Sequence, residues 1–437
     1  FLMKKLIGTA MLAALLATSA FAELSISGGA TQLWSPIAYN GGDVMTGSQS
    51  PWGGGRTASI GFTWVSEDEK AGSAFTFVYN PWAGDKGIAP DGNRIIWVKP
   101  WDFLKLTLGH WDGINDITTP NTSSWYPWIR PGTWFAGDSH LYLENEHTGA
   151  MIEITPIDDL MIRVGLPFGD ATYDKVTRYS DKDGKTEDVI YEKNGSANDI
   201  AYRMFEQLHA EVEYTIADIL GLKLAWVGGA NNRDAAFSGA GYKNADDKFV
   251  NVGEIDVYAN LLAVENLQLE VGARINLLNA DEVSKLYAAD ITANKDPRDV
   301  ASALIGLKAG YNITDRFSVK ADFSVLTYKK GDIDSVTFKH KPDFQFGVGV
   351  GVGLTDSLSL DADFRGVLKG DYEADGYTTD GGDPTFSFMV GLTYACSTNA
   401  SVGIGFQGKT NGGKIGPLEE RSDNFGFAVP ILVNVSF

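Results

Sequence analysis

The feature that most restricts the fold of this chain is a strict alternation of apolar and polar residues. The clearest example runs from Leu267 to Leu277, where every odd position is apolar and Gln268, Glu270 and Arg274 lie among the residues between them. Side chains of a β-strand point alternately to opposite faces, so this segment predicts a strand with one apolar and one hydrophilic face. The chain is therefore expected to be all-β.

The same alternation recurs along the chain, and where the runs are well defined they are about 9–13 residues long, close to the roughly 9–11 residues that a tilted strand needs to cross a bilayer. The clearest further runs are 208–216, 255–261, 303–313, 317–327, 344–354, 358–368, 386–394 and 425–437, with 58–64, 75–79 and 160–166 in the N-terminal part.

The connections between these runs alternate between short and long. The short ones are rich in Asp, Asn, Ser and Gly, which favour turns, and lie at 156–159, 217–221, 264–266, 313–316, 354–357 and 396–399. The long polar ones are 169–199, 231–248, 279–300, 329–342, 369–384 and 409–423. Short turns at one end and long loops at the other are typical of a transmembrane β-barrel.

A soluble β-sandwich is the alternative fold, because its strands also alternate. Two features disfavour it. The hydrophilic faces carry glycine or charge in register, with glycine at 347, 349, 351 and 353 of one run, and the last run ends at Phe437.

The first residues are typical of a secretion signal. Lys4 and Lys5 precede an apolar stretch over 6–17, and a small-x-small site ends at Ala22. Cleavage is expected after Ala22, which leaves a single domain over 23–437. A membrane anchor is the alternative, but its apolar stretch falls short of the ~20 residues of a spanning helix.

Composition narrows the possible partners. The formal net charge is −20, so no basic face is expected that could neutralise nucleic-acid phosphates. The single cysteine, Cys396, cannot form an internal disulfide. After the signal, no apolar run is as long as a spanning helix, so membrane insertion would have to use strands.

The chain resembles bacterial outer-membrane porins. The resemblance rests on the signal, the Thr-Asp turns and a last strand whose alternate residues, from Phe425 to Phe437, are apolar. It implies a barrel in outer-membrane lipid, with Phe437 read by the barrel-insertion machinery, and it raises assembly as a homotrimer. Eighteen strands are expected if 140–155 forms one interrupted strand, and sixteen is the alternative. Such a barrel is wide enough for an aqueous channel.

The hydrophilic face of the strands is the candidate lumen. Its acidic residues are Glu153, Glu211, Glu213, Glu254, Asp256, Glu270, Asp322, Asp361 and Asp363, and its basic residues are Arg163, Lys223, Arg274, Lys308, Lys320 and Arg365. The acidic excess predicts a mild cation preference. Alternatively, these side chains pair across strands and only line the wall.

The segment 112–139 is the most unusual stretch of the chain. It is long, and its three prolines exclude a regular strand. By position it is the third long loop, and the resemblance implies that it folds into the barrel as a constriction. We expect Asp112, Asp116 and Asp138, which share the segment with Arg130, to face basic residues of the wall.

Aromatic residues in this segment leave two functions open. Trp125, Tyr126, Trp128 and Trp134 could stack on sugar rings and form a track for a sugar- or nutrient-selective porin. Alternatively, they pack a loop or belong to the aromatic girdles of the barrel, as expected for Trp64.

Several segments match motifs of enzymes or metal sites, but these matches are weak evidence for such functions. Residues 403–410 fit the phosphate-binding loop letter by letter, but their alternation predicts a strand, and Asn411 with two glycines follows instead of a helix. The acidic run 181–188 lacks the ligand spacing of a calcium loop. The five histidines show no zinc spacing. We expect no enzyme activity and no metal or cofactor.

The expected function is passive diffusion of small hydrophilic solutes and ions. The alternatives are the sugar-selective porin and a surface-exposed adhesin or antigen whose long loops bind a host partner.

Overall fold

The computed structural model describes residues 22–39, 42, 44–49, 58–79, 89–111, 147–167, 178–179, 186–187, 208–227, 254–277, 301–328, 331–333, 336–374, 377–410 and 425–437. The strands in chain order are β1 (Ala22–Tyr39), β2 (Val44–Gln49), β3 (Ala58–Ser66), β4 (Ala71–Tyr79), β5 (Ala89–Trp101), β6 (Leu104–Trp111), β7 (His147–Ile157), β8 (Leu160–Pro167), β9 (Arg178–Tyr179), β10 (Thr186–Glu187), β11 (His209–Ile216), β12 (Leu220–Val227), β13 (Glu254–Leu261), β14 (Leu267–Asn276), β15 (Ala301–Thr314), β16 (Phe317–Tyr328), β17 (Gly331–Ile333), β18 (Val336–His340), β19 (Asp343–Gly353), β20 (Leu358–Leu368), β21 (Tyr372–Ala374), β22 (Tyr377–Thr379), β23 (Thr385–Ser397), β24 (Ala400–Lys409) and β25 (Gly426–Ser436). Within these ranges, no helix is long and apolar enough to span a membrane.

Nineteen of these strands form a closed antiparallel barrel with eighteen positions around the ring, because β2 and β3 share one position. Each pairs with its neighbours in chain order, and β25 pairs with β1 to complete the ring. The first half of β1 pairs with β3, and its second half pairs with β2, so β2 and β3 follow one another along the same edge. The predicted count of eighteen strands is confirmed. Of the predicted interrupted strand over 140–155, residues 140–146 lie outside the described part of the chain, and β7 begins at His147.

Tight turns connect the barrel strands at one end, which we call the short-turn end. The turns predicted at 313–316 and 354–357 join β15 to β16 and β19 to β20, and the Thr355 hydroxyl accepts hydrogen bonds from the Ser357 and Leu358 amides. Asp159 and Asn266 adopt positive φ angles of 65° and 62°, as short polar side chains tolerate in turns. The last strand also ends here, since the backbones of Gly28 and Phe437 exchange two hydrogen bonds.

Apolar side chains cover the outer face of the barrel and charged side chains its inner face, the reverse of the arrangement in a soluble protein. In β14, Val271 and Ile275 are 46% and 42% exposed on the outer face, whereas Arg274 is 6% exposed on the inner face. Because the apolar rows point outward from a single closed sheet, the β-sandwich alternative is wrong. Only a lipid surround makes such an exterior favourable, because water penalises contiguous exposed apolar surface of this size.

Three of the expected polar loops contain strands of their own, and in 169–199 these are the paired strands β9 and β10. The segments 329–342 and 369–384 form the hairpins β17–β18 and β21–β22, and pairing of β18 with β21 joins them into a four-stranded sheet. The sheet adjoins the barrel where the Tyr328 hydroxyl donates to Asp343 at 2.7 Å and the Gly370 amide donates to the same carboxylate at 2.6 Å. These strands were missed because each is only two to five residues long.

Candidate functional site

The strand register places the predicted lumen charges on the inner face of the barrel. Directly opposed residues on antiparallel neighbours share a face, and the partner pairs include Glu153 with Arg163 and Glu270 with Lys308. The remaining predicted basic and acidic positions with described side chains follow the same face: Glu211, Glu213, Lys223, Asp256, Arg274, Lys320, Asp322, Asp361, Asp363 and Arg365.

One group of inward charges forms a ladder of alternating sign across β6, β7, β8 and β11. Lys105 lies 3.7 Å from Glu153, and Glu153 lies 3.2 Å from Arg163. Arg163 in turn donates to Glu211 at 2.8 Å. The carboxylate of Glu211 also lies 3.2 Å from the ring of His209, and both side chains are about 1% exposed. Alternation of sign lets each charge on this wall meet an opposite one.

A second group crosses β19 at a position where the inward residue is glycine. Arg365 on β20 reaches over Gly347 on β19 and contacts Asp322 on β16 at 3.0 Å. Its Nε lies 3.0 Å from Asp363, two residues away on its own strand. A Cβ at Gly347 would lie 2.8 Å from Asp322 and 3.0 Å from the Arg365 guanidinium, so this position requires glycine. The glycine run noted in the sequence therefore creates a groove that the ion pair fills.

Further pairs complete this charged wall. Arg274 lies 3.6 Å from Asp256, and Lys223 lies 2.7 Å from Glu213. Gly351 leaves room for the Asp361 carboxylate, because a Cβ at this position would lie 3.3 Å from Asp361 Oδ1. The predicted lumen charges are thus mostly members of cross-strand pairs.

The structure adds inward charges that the sequence analysis missed. Lys105 and Lys409 lie on the inner face of β6 and β24, Lys99 faces the same way as Trp97 on β5, and Asp343 faces inward on β19. Among the described side chains the inner face then has equal numbers of each sign, namely Glu153, Glu211, Glu213, Asp256, Glu270, Asp322, Asp343, Asp361 and Asp363 against Lys99, Lys105, Arg163, Lys223, Arg274, Lys308, Lys320, Arg365 and Lys409. The alternation of Leu104, Leu106 and Leu108 was the sequence signal that could have revealed Lys105 as an inward residue.

The inner wall is not uniform around the barrel. On β1 and β3 the inward face includes small hydroxylated side chains, and Ser25, Ser27 and Thr63 are exposed. On β16 and β20 the inward face instead carries charged side chains, and Asp322 and Arg365 are 5% and 1% exposed. We call these regions the hydroxyl wall (inward residues of β1, β3 and β4) and the charged wall (inward residues of β7 to β20).

The outer face carries aromatic side chains toward the end opposite the short turns. Ring centroids are 5.7 Å apart in the pairs Phe364–Phe386 and Phe406–Phe427, so the outer rows of β20 to β25 are in contact. At the short-turn end, Trp101 and Phe103 stack with centroids 5.9 Å apart, and Phe437 packs over Gly28. Aromatic residues at both borders of an apolar exterior fit the girdles of a membrane barrel. The role of Phe437 in insertion stays a prediction.

Ion pairs outside the membrane-spanning segments occur at both ends. Lys70 pairs with Asp102 between neighbouring turns, and this hydrogen bond lowers the pKa of Asp102 below its usual value. At the opposite end, Lys341 pairs with Asp371 at 2.5 Å, which raises the pKa of Lys341 and lowers that of Asp371. Both pairs are solvent-exposed.

The predicted constriction and track lie outside the described residues. This holds for Asp112, Asp116, Arg130 and Asp138, and for Trp125, Tyr126, Trp128 and Trp134. Among the residues that are described, no group of three His, Cys, Asp or Glu side chains is arranged to hold a metal ion.

A closed antiparallel barrel with an apolar exterior and a charged interior defines a multi-pass β-barrel of the bacterial outer membrane. Residues of a soluble protein would show the opposite arrangement of polar and apolar side chains.

Comparison with solved structures finds outer-membrane barrels along nearly the whole chain. They include an anion-selective porin from Comamonas acidovorans (10% identity over 95% of this chain and 100% of that chain, TM-score 0.48). They also include the outer membrane channel DcaP of Acinetobacter baumannii (10% identity, 96% and 99% covered, TM-score 0.41) and the trimer form of the outer membrane protein OmpT of Vibrio cholerae (12% identity, 95% and 99% covered, TM-score 0.42). No protein-family model and no curated protein sequence matches the chain. Because these three TM-scores are below 0.5, the fold assignment rests on the strand order of this chain itself.

Proposed function

We propose that this chain forms a water-filled channel for passive diffusion of small hydrophilic solutes and ions across the outer membrane. The observation that carries this proposal is the closed eighteen-strand wall with charged side chains inside and apolar side chains outside. Eight strands leave room only for packed side chains or one small ligand, whereas barrels of 16–18 strands leave an aqueous channel. A charged interior needs hydration, which a channel supplies.

Within this proposal, the two walls have different roles. The inward pairs around Arg163, Lys223, Arg274 and Arg365 brace neighbouring strands and give the lumen a patterned field. The exposed hydroxyls of the hydroxyl wall border the path of the solutes. Equal numbers of described acidic and basic side chains favour weak ion selectivity, and the mild cation preference that the sequence suggested stays a prediction.

The segment 112–139 enters the proposal as the constriction. Its length, prolines and aromatic content support a folded loop, and Asp112, Asp116, Arg130 and Asp138 supply charge for a narrow point. Deleting 120–132 should enlarge the conductance if the loop narrows the channel. An unaltered conductance would mean that the loop points away from the lumen.

Single-channel recording in planar bilayers tests the function. The purified, refolded chain is expected to insert in steps of uniform, nearly linear conductance in potassium chloride. A chain that is folded by circular dichroism and resists extraction from lipid, yet gives no steps, would contradict the channel. Binding to host or matrix protein through the long loops would then favour the adhesin.

The sugar-selective alternative has its own test in the same experiment. If Trp125, Tyr126, Trp128 and Trp134 form a track, neutral oligosaccharides should block the current, and Trp128→Ala should weaken the block. A block that Trp128→Ala leaves unchanged would remove this residue from any track.

A further inference from the structure

An aromatic side chain with two cationic neighbours lies on the inner face near the short-turn end. Trp97 on β5 lies opposite Thr107 on β6 and faces the lumen. The ammonium groups of Lys99 and Lys105 lie 5.4 Å and 5.7 Å from the centroid of its ring. Such distances are within the range of cation–π attraction, so the three side chains form one cluster.

The Trp97 ring lies close to the barrel wall because its neighbour is glycine. A Cβ at Gly72 would lie 2.5 Å from both Cε2 and Cζ2 of Trp97. The indole therefore occupies the space above β4 that any larger residue would fill. Held against the wall in this way, the ring lines the edge of the lumen without blocking it.

The cluster has a local excess of positive charge. Lys105 is 28% exposed, and its nearest carboxylate, Glu153, lies 3.7 Å away. Glu153 is closer to Arg163, at 3.2 Å, so it neutralises Lys105 only in part. An anionic solute that reaches this point of the wall meets two ammonium groups, with Glu153 beside Lys105 and Asp102 within electrostatic range of Lys99.

Exposed hydroxyl groups lie on the wall on one side of the cluster. Val65 on β3 lies directly opposite Gly72, and the hydroxyl of Thr63 follows two residues further along the same face of β3. The hydroxyls of Ser25 and Thr63 are on directly opposed residues and are exposed. A solute that uses the indole, the two ammonium groups and the hydroxyls has a ring with an apolar C–H face, a negative charge and several hydroxyl groups.

We propose that Trp97, Lys99 and Lys105 form a binding site for cyclic acidic sugars on the inner wall of the barrel. The C–H face of the sugar ring lies on the indole, the carboxylate lies between the two ammonium groups, and the ring hydroxyls hydrogen-bond to the hydroxyl wall. The inference rests on the proposed channel, because a solute reaches this wall only through a lumen. A cation-rich point gives a preference for anions even where the total charge of the wall balances.

Block of single-channel current by galacturonate tests the site. Galactose carries the ring without the charge, gluconate carries the charge and hydroxyls without the ring, and benzoate carries a charged ring without hydroxyls. In the wild-type chain, millimolar galacturonate is expected to block, and each of the other three solutes should need at least about tenfold higher concentration. Equal block by galactose, gluconate or benzoate would overturn the acidic-sugar assignment.

Three variants test the location of the site, with one control for the tryptophan and one for the two lysines. Trp97→Ala, Lys99→Gln and Lys105→Gln should each raise the half-blocking concentration of galacturonate by about tenfold, as expected for the loss of one stacking or ionic contact. Trp101→Ala removes a tryptophan from the outer face, and Lys320→Gln removes an inward lysine on β16, and both should change the block less than twofold. If Lys320→Gln weakens the block as much as Lys99→Gln, the general charge of the lumen explains it and the site is wrong.

Gly72→Ala supplies an independent variant that leaves the three side chains in place. Its methyl group would displace the Trp97 ring and should weaken the galacturonate block, whereas Gly310→Ala on β15, whose nearest atom is 3.5 Å away, should not. Conductance in potassium chloride reports folding and insertion for every variant. A wild-type channel that conducts but is not blocked by galacturonate refutes this site alone, while absence of conductance refutes the proposed channel.

Discussion

The hydroxyl wall and the charged wall are parts of one sheet, but their inward side chains differ in charge and burial. Inward residues of β1 and β3 include small, neutral and exposed ones, such as Ser27 and Thr63. Inward residues of β16 and β20 are charged and almost fully buried, such as Asp322 at 5% and Arg365 at 1%. A small hydroxyl leaves space in the lumen and needs only water as a partner. A buried charge fills space and requires an opposite charge, so this side depends on exact register between strands.

The largest expected effect comes from breaking the buried cluster of the charged wall. Arg365→Ala leaves Asp322 and Asp363 buried without their nearest cation, and removing one partner of a buried pair costs about 3–5 kcal/mol. Unfolding of the refolded barrel in lipid vesicles by urea measures the change. On the hydroxyl wall, Ser27→Ala should remain within roughly 0.5 kcal/mol of the wild-type chain. Similar losses for both variants would show that the walls do not differ in this way.

A smaller effect is expected from filling the groove that the ion pair crosses. Gly347→Ala places a methyl group 2.8 Å from Asp322 and should destabilise the barrel by about 1–3 kcal/mol, as overpacking does. Gly310→Ala is the matched control, because its nearest atom lies 3.5 Å away. If the two alanine variants unfold at the same urea concentration, Arg365 does not depend on the groove.

Bulk added to the hydroxyl wall should change conduction and leave stability nearly intact. Thr63→Trp adds an indole at an exposed inward position, so we expect lower single-channel conductance with a change in unfolding free energy below roughly 1 kcal/mol. Ser73→Trp on β4 is the control, because Ser73 pairs with the lipid-facing Ile96. An equal decrease of conductance in both variants would contradict the location of the solute path along this wall.

The smallest effect is expected at the exposed Lys70–Asp102 pair. The pKa of Asp102 is lowered in the folded barrel, so its ionised form stabilises the fold above the ordinary aspartate value of 3.8, and this contribution is lost as pH falls below it. Asp102→Asn should therefore leave the melting temperature at pH 7 almost unchanged, since exposed pairs contribute little. Melting curves at pH 7 and pH 3 would reveal a larger role if the variant and the wild-type chain differed strongly only at pH 7.

The alternation of residues predicted most of the wall, with particular gaps. It located β14, β16, β19, β20 and the last strand, and it identified Arg163, Lys223 and Arg274 as inward. It counted strands before residue 112 but gave no bounds for β5 and β6, and Asn93 and Pro100 interrupt the pattern of β5. Trp97, Lys99 and Lys105 lie on these two strands, so the proposed sugar-acid site was also missed.

The sequence by itself determined that this chain forms strands with one apolar face, that these strands need lipid on one side and water on the other, and that short turns collect at one end. Only the tertiary structure decided which charges meet. Arg163 contacts Glu211, 48 residues away, and Arg365 contacts Asp322, 43 residues away. The physical reason is that the face of a side chain follows from its immediate neighbours in sequence, whereas its partner depends on the register between strands, which closure of the whole barrel sets.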